Sequence, residues 1–391
     1  MAFILKKPFK NSKGILVLKN PEHMFFREAN PLFRNVLIEL SEKYVIGLHW
    51  CSYQENVKDF PYIDFHLSDG TVTFHKDESP RIIPFDCKHF ISPTFRKTNL
   101  KKDWDIFNMS RPGNGKYLDE FLKVIRLIFD ERDNVKVLLI CPDILHSWNS
   151  RGIYTNLIPD YNRMFSIEEK KRFKIIIPKL VDHSLFPFTQ EMITYFINTS
   201  KICTLFSKEE GQSRILHESL LCGLPIVARK DLRGGGLNYL NEKNSRLFST
   251  LQEAKSIFLD LIDNPENCQF DPEELRKVLG EEYNKNKFVE ALRSLFKELN
   301  LEFEGSLDLE DLSNKLPSHI RTLPSEWTGG IQDQLSNSKF FYLFMHFLLN
   351  KDLSKTNYLL FQVFYYCSKI SLFTKRVYRK IKKTYRTKSL S

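Results

Sequence analysis

Short apolar runs alternate with helical repeats of apolar residues through the middle of this 391-residue chain. Runs typical of buried strands lie at 106–109, 135–140 and 202–206. The segments between them, such as 117–131, place apolar residues three or four positions apart, as an amphipathic helix does. Strands that alternate with helices predict right-handed crossovers and a parallel sheet. We therefore expect an α/β fold whose central part is a parallel sheet with helices in the crossovers.

The first hundred residues predict a smaller unit of the same kind. Strands are expected at 14–18 and 44–50 with a helix at 31–43 between them, and a polar-interrupted strand pair follows at 62–67 and 71–75. The unit is therefore a small α/β domain that precedes the larger one.

Amphipathic helices dominate the residues after the central region. Two are predicted, at 251–263 and 271–299, and the second is broken near Gly280. The pattern divides the chain into four segments. Residues 1–98 form a small N-terminal α/β domain and residues 99–300 a larger Rossmann-like domain, and these are followed by a connector at 301–330 and a helical basic extension at 331–391.

The net charge of +10 belongs to the end of the chain. Residues 351–391 carry eleven Lys or Arg and one Asp, so the preceding residues are about neutral. A nucleic-acid-binding protein of this size would show a basic stripe on its folded part, and we therefore exclude nucleic acid as a partner. Seven scattered cysteines without a Cys-x-x-Cys pair favour reduced thiols, hence a cytoplasmic protein, over a zinc site or a disulfide framework.

Two carboxylates stand in the most informative stretch of the sequence. Strand 202–206 is followed by a loop with Glu210 and Gly211, by a helix that opens near Ser213 and carries Glu218, and by Gly-x-Pro and a further strand. A loop and helix N-terminus after a parallel strand lie at the edge where α/β proteins bind ligands. The helix N-terminus suits an anion such as a diphosphate, whereas carboxylates suit hydroxyl groups of a sugar or a ribose.

This Glu-x7-Glu pattern resembles the donor-site signature of GT-B retaining glycosyltransferases of the family 4 type. A second block supports the resemblance, because Arg111 and Lys116 follow strand 106–109 and match the Arg-x4-Lys turn of that family. The likeness covers roughly residues 100–300. It implies a GT-B-like pair of Rossmann-type domains with a small N-terminal domain and a helical C-terminal extension.

The resemblance also implies roles for individual residues. Arg111 and Lys116 would hold the diphosphate of a nucleotide-sugar donor, Glu210 would contact the donor-sugar hydroxyls at the reacting centre, and Glu218 would hold the ribose. The remaining donor-binding residues would lie in the loop, the helix start and the glycine-rich turn 231–236: Gly211, Gln212, Ser213, Arg214 and Gly235.

The resemblance further implies catalysis without a metal or other cofactor. Asp103 and Asp105 match the Asp-x-Asp metal motif of another glycosyltransferase class, but they precede strand 106–109 and so belong to the edge opposite the ligand. The family often has an N-domain histidine near the reacting centre, and His49 at a predicted strand end is the candidate here. The short N-terminal domain departs from the family, as does Cys141-Pro-Asp143 in place of its glycine.

The basic end of the chain predicts an amphipathic helix. Apolar residues recur every four positions from Phe373 to Tyr385, with cations on the other faces. Such a helix at 370–388 either lies on an anionic membrane surface, near a lipid-linked or glycan acceptor, or packs back on the N-terminal domain. We expect a retaining glycosyltransferase, cytoplasmic or peripheral on the cytoplasmic face of a membrane. The alternatives are a nucleotide-sugar epimerase on the same architecture and a non-catalytic scaffold.

Overall fold

Fifteen strands are seen in the part of the chain that the structure, a computed structural model, describes, namely residues 3–19, 38–50, 53–111, 113–143, 152–178, 188–310 and 312–316. In chain order they are β1 Phe3–Lys6, β2 Gly14–Lys19, β3 Tyr44–His49, β4 Gln54–Val57, β5 Phe65–Leu67, β6 Val72–Phe74, β7 Ile82–Ile83, β8 Trp104–Met109, β9 Val137–Ile140, β10 Phe173–Ile176, β11 Ser200–Leu205, β12 Glu209–Gln212, β13 Ile226–Arg229, β14 Arg233–Gly235 and β15 Ser245–Phe248.

Apart from the helical residues 38–43, the α-helices of the described residues begin after β8 and are numbered in chain order. They are α1 Leu118–Phe129, α2 Ile158–Met164, α3 Ile167–Arg172, α4 Gln190–Asn198, α5 Arg214–Leu221, α6 Leu251–Asp263, α7 Pro272–Leu279, α8 Glu281–Glu298 and α9 Leu312–Lys315. The second helix of the pair predicted near the end is indeed broken at Gly280. Within the described ranges, no helix is long and apolar enough to cross a membrane.

The larger sheet has the strand order β10-β9-β8-β11-β13-β15, and every neighbouring pair is parallel. This is the 3-2-1-4-5-6 order of a doubly wound Rossmann domain. Both faces are covered because the strands are apolar on both sides. One face packs on α1 and α6 through residues such as Phe121 and Phe258, and the other packs on α5 through Leu216 and Leu220. The α/β prediction for the middle of the chain is confirmed.

The smaller sheet has the order β1-β2-β3-β5-β7 and is parallel except for the β1–β2 pair. The strand pair expected at 62–67 and 71–75 does not form: β5 joins this sheet, and β6 pairs with β4 as a separate ribbon. The three-residue stretches carry too little alternation to indicate a partner. The predicted helix at 31–43 lies partly outside the described residues, and residues 38–43 are helical.

The chain crosses twice between the N-terminal half, which is built on the smaller sheet, and the half built on the larger sheet, and the two crossings lie side by side. Ile91 forms a parallel bridge with Gly280, where the chain leaves and re-enters the N-terminal half. The amide of Asn284 donates to the backbone oxygens of His89 and Gly280, at 2.9 and 3.1 Å. Helix α8 then packs into the core of the smaller sheet through Phe288, Leu292, Leu295 and Phe296, although the sequence pattern grouped it with residues 99–300.

The N-terminal half also takes in part of the predicted connector. Leu312 and Leu316 are buried in the core of the smaller sheet, and Leu307 forms an antiparallel bridge with Lys6. The predicted extension at 331–391 lies outside the described residues.

Candidate donor site

The strand order creates one crevice at the carboxyl edge of the larger sheet. The chain proceeds from β8 outward to β10 on one side and from β11 outward to β15 on the other, so the loops after β8 and β11 diverge from the same point. Ligands of doubly wound domains bind at this switch point. Arg111 and Lys116 follow β8, and Glu210 follows β11, so the structure brings together the two sequence blocks predicted to form one site.

An ion pair spans this crevice. Lys116 Nζ donates to Glu210 Oε1 across 94 positions of sequence. The side chains are 27% and 12% exposed, so both are more than half withdrawn from water but open to a ligand. Arg111 is exposed, and the charge of the Glu210 carboxylate acts on its guanidinium group. Two cations of the loop after β8 therefore interact with one carboxylate at the carboxyl edge.

The loop that carries Glu210 is held by a second short sheet. Strand β12 pairs in parallel with β14, so Glu210 lies opposite Gly234 and Gln212 opposite Gly235. The sequence predicted turns at both places, whereas these residues form a two-stranded ribbon. Gly234 has φ +119°, and a Cβ there would lie 1.6 Å from the backbone oxygen of Glu210, so only glycine fits. The glycine-rich segment thus fixes the backbone beside Glu210.

Helix α5 carries the second carboxylate of the site. Glu218 is buried, and Arg214 one turn earlier approaches its Oε1 to 3.1 Å through both Nε and Nη2. Burial raises the pKa of Glu218, and the charge of Arg214 offsets part of that rise. Arg214 also donates to the backbone oxygen of Ser313 at 3.3 Å. The side chain of Arg214 thus holds Glu218 and the segment that follows α8.

His217 lies beside Glu218 on the same helix and is fully buried. Its Nδ1 is 2.8 Å from the backbone oxygen of Ser213, which accepts, so Nδ1 carries the proton. A Cβ on Gly236, which has φ +94°, would lie 2.2 Å from the imidazole. Burial, the largest cause, and the charge of Lys88 lower the pKa of His217 to about 3. The ring is therefore neutral and ties the first turn of α5 to the glycine-rich segment.

The N-terminal half faces this segment with a charged cluster that the sequence did not reveal. Lys88 is fully buried, and its Nζ lies 2.5 Å from Asp69 Oδ2 and 2.7 Å from Asp86 Oδ2. Asp86 is also fully buried, whereas the Asp69 side chain is 19% exposed. His89 Nδ1 accepts from the backbone N–H of Asp86 at 3.1 Å, so Nε2 donates to Tyr239 Oη at 2.9 Å across the two halves.

Charge balance explains how this cluster is tolerated. Burial, the largest single cause, would raise the pKa of Asp86, but Lys88 and His89 together outweigh it and hold that pKa below its ordinary value. Burial lowers the pKa of Lys88, and the two carboxylates more than reverse the change. Asp69, Asp86 and His89 have ligand atoms within 4.8 Å of one another, as a metal site would. Lys88 supplies the positive charge there, so we assign the cluster no metal.

The remaining predicted residues are placed as follows. Gly235 lies between the halves, since a Cβ there would be 2.7 Å from the backbone oxygen of Gly211 and 2.9 Å from Thr71 Cγ2. His49 ends β3 at the carboxyl edge of the smaller sheet and is fully buried. His89, by contrast, contacts Tyr239 in the half built on the larger sheet. Asp105 lies near the start of β8 and pairs with Lys201 at 2.7 Å, away from the switch point.

The chain is similar in fold to two solved trehalose-phosphate synthases. A UDP-forming α,α-trehalose-phosphate synthase from Burkholderia xenovorans shares 11% identity over 69% of this chain and 72% of that one, with a TM-score of 0.51. The α,α-trehalose 6-phosphate synthase from Burkholderia multivorans gives 13% identity over 68% and 70%, with a TM-score of 0.50.

A mutant of TarM from S. aureus, solved in complex with fondaparinux, α-GlcNAc-glycerol and UDP, is more distant. It shares 14% identity over 65% of this chain with a TM-score of 0.47, and this chain spans about half of its length (51%). No protein-family model matches the sequence. No curated protein matches it either. The structural likeness, together with the strand orders above, gives this chain the two-domain GT-B fold.

Proposed function

We propose that this protein is a glycosyltransferase that moves a sugar from a nucleotide-sugar donor to a glycan or lipid-linked acceptor. The observation that carries the proposal is the crevice where Arg111 and Lys116 from one loop meet Glu210 from the other. A nucleoside diphosphate needs cations and free N–H groups, which the two basic residues and the N-terminus of α5 provide. A sugar needs hydrogen-bond acceptors, which Glu210 and Glu218 provide.

The chemistry follows from where negative charge develops. As the bond between the sugar and the diphosphate breaks, the leaving phosphate gains charge, and cations already held in place stabilise it without reorganisation. In the family that the sequence resembles, the leaving phosphate itself assists the incoming hydroxyl, and the anomeric configuration is retained. We propose the same course here, with Glu210 positioning the sugar, Glu218 holding the ribose and no metal ion required.

A screen of nucleotide-sugars tests the proposal. UDP-, GDP-, ADP- and CMP-sugars are compared by thermal shift and by donor consumption with and without EDTA. A bound donor at a hundredfold excess over Kd stabilises the fold by about 2.7 kcal/mol. Arg111→Ala and Lys116→Ala should weaken binding of the diphosphate far more than binding of the nucleoside. A strict Mg²⁺ or Mn²⁺ requirement that Asp105→Ala abolishes would contradict the metal-independent assignment.

The same screen separates the alternatives. An epimerase would convert the donor sugar without releasing nucleotide, and a scaffold would bind the nucleotide without turnover. The acceptor side belongs to the N-terminal half, where the loop with Asp69 faces Gly235 across the crevice. We keep transfer as the leading function because the N-terminal half, which would hold an acceptor, faces the donor site through this loop.

The basic segment 370–388 supports a further part of the proposal. Eight Lys or Arg lie within 375–388, each contributing about 1 kcal/mol near an anionic surface. We propose that this segment, which lies outside the described residues, holds the enzyme on the cytoplasmic face of a membrane close to a lipid-linked acceptor. Truncation after Lys369 should abolish sedimentation with anionic liposomes at low salt and leave donor binding intact. Unchanged sedimentation would contradict this part alone.

A further inference from the structure

Glu210 contacts a cation that is predicted to hold a donor diphosphate. Its carboxylate accepts from Lys116 and interacts with the charge of Arg111, the two cations of the loop after β8. A carboxylate presents two oxygens and a negative charge to these cations, as a phosphate group does. The contact is also long-range in sequence, so it is a property of the folded crevice and not of a single loop.

A diphosphate that binds Lys116 brings its negative charges close to the Glu210 carboxylate, whose Oε1 accepts from the same ammonium group. Like charges at such short range repel, so the carboxylate has to move away from Lys116. We propose that Glu210 is an internal occupant of the diphosphate subsite, displaced from Lys116 when a nucleoside diphosphate binds and thereby released to the donor sugar. This inference rests on the proposed function, because it takes a diphosphate-linked sugar as the ligand.

The exchange makes the site selective for sugars joined to a diphosphate. A nucleoside or a free sugar brings no anion to Lys116 and leaves Glu210 in place. A diphosphate brings two or more negative charges to Lys116 in place of the single charge of Glu210, so replacement of Glu210 by the diphosphate is favourable. Because the pair between Glu210 and Lys116 has to break first, the affinity for the diphosphate is lower than it would be without that pair. A pair as exposed as this one reduces the affinity of a diphosphate about three- to sixfold.

The test uses a matched pair of single-charge changes. Glu210→Gln removes the carboxylate that contacts Lys116, and Glu209→Gln removes the same charge from the exposed neighbouring residue. Binding of inorganic pyrophosphate and of UDP, GDP, ADP and CDP is measured by calorimetry for both variants and for the wild type. Thermal unfolding confirms that each variant is folded. A third variant, Lys116→Gln, and the double variant Glu210→Gln/Lys116→Gln complete a cycle.

We expect Glu210→Gln to bind pyrophosphate and its preferred nucleoside diphosphate about three- to sixfold more tightly than the wild type, and to consume donor more slowly. Glu209→Gln should change the affinity less than twofold, and the gain from Glu210→Gln should vanish in the Lys116→Gln background. Equal or weaker diphosphate binding by Glu210→Gln would overturn the inference and leave the proposed function standing. Absence of diphosphate binding by every protein would overturn both.

Discussion

Lys88 and Lys116 both contact carboxylates in loops at the carboxyl edge of a sheet, yet their surroundings differ. Lys88 is fully buried with two partners, Asp69 and Asp86, at 2.5 and 2.7 Å. Lys116 is 27% exposed and contacts Glu210 from the loop of another strand. One pair is enclosed by protein, and the other faces the crevice.

The difference decides what each contact can do. A buried ammonium group has lost its water, so removing it leaves two carboxylates without compensation in a medium of low polarity. A partly exposed ammonium group regains water or a ligand at little cost. The Lys88 cluster therefore supports the surface that the N-terminal half presents to Tyr239, whereas the Lys116 contact is suited to exchange with a ligand.

The substitution expected to have the largest effect on stability in this comparison is Lys88→Met. The variant keeps a similar volume but leaves Asp86 buried and unpaired, and we expect it to lower the free energy of unfolding by about 3–5 kcal/mol. Urea unfolding measures the change, with Lys58→Met, an exposed lysine of the same half, as the control. A loss below about 1 kcal/mol would show that the cluster is not the buried network described above.

A second, smaller effect concerns His217. Burial and the charge of Lys88 lower the pKa of this residue to about 3. Because the unfolded chain binds a proton near pH 6.5 and the folded one does not, the stability present above pH 6.5 is lost progressively as the pH falls toward 3. Between pH 6.5 and 5 the loss from this residue is about 2 kcal/mol.

His217→Asn isolates that contribution, since an asparagine can still donate to the backbone oxygen of Ser213 but does not titrate. Urea unfolding of both proteins at pH 7.5 and pH 5 should show the smaller pH dependence in the variant. If the free energy of unfolding changed equally with pH in the variant and in the wild type, His217 would be protonated in the folded protein or accessible to water.

The smallest expected effect on stability belongs to Lys116. Lys116→Met should lower the free energy of unfolding by less than about 1 kcal/mol, because the pair it breaks is partly exposed and Arg111 remains near Glu210. The same urea titration as for Lys88→Met measures it. A loss as large as that of Lys88→Met would remove the distinction between the two lysines and weaken the case for exchange at Lys116.

The sequence predicted the half with the larger sheet better than the N-terminal half for a physical reason. Apolar strands that alternate with helices determine a parallel sheet, and the edge at which Arg111, Lys116 and Glu210 meet follows from that topology. Strands of two or three residues, such as β7, carry too little periodicity to predict their partners. The Lys88 cluster combines residues from separate loops, so it depends on tertiary packing that no local pattern encodes.

The glycine-rich segment illustrates the same limit at one position. Three consecutive glycines indicated a turn, and part of it is instead a strand because Gly234 pairs with the loop of Glu210. Backbone pairing between segments more than twenty residues apart leaves no mark on composition. The roles of Glu210, Glu218 and His49 toward a donor and an acceptor stay predictions.

The return of α8 to the smaller sheet has a consequence for the order in which the protein acquires its structure during synthesis. The core around β2 and β3 lacks Phe288, Leu292, Leu295 and Phe296 until the ribosome has made them. The larger sheet, in contrast, has all its strands once β15 has emerged from the ribosome. The half that is translated first is therefore finished last, and the part of its core that α8 fills stays exposed until α8 has been synthesised.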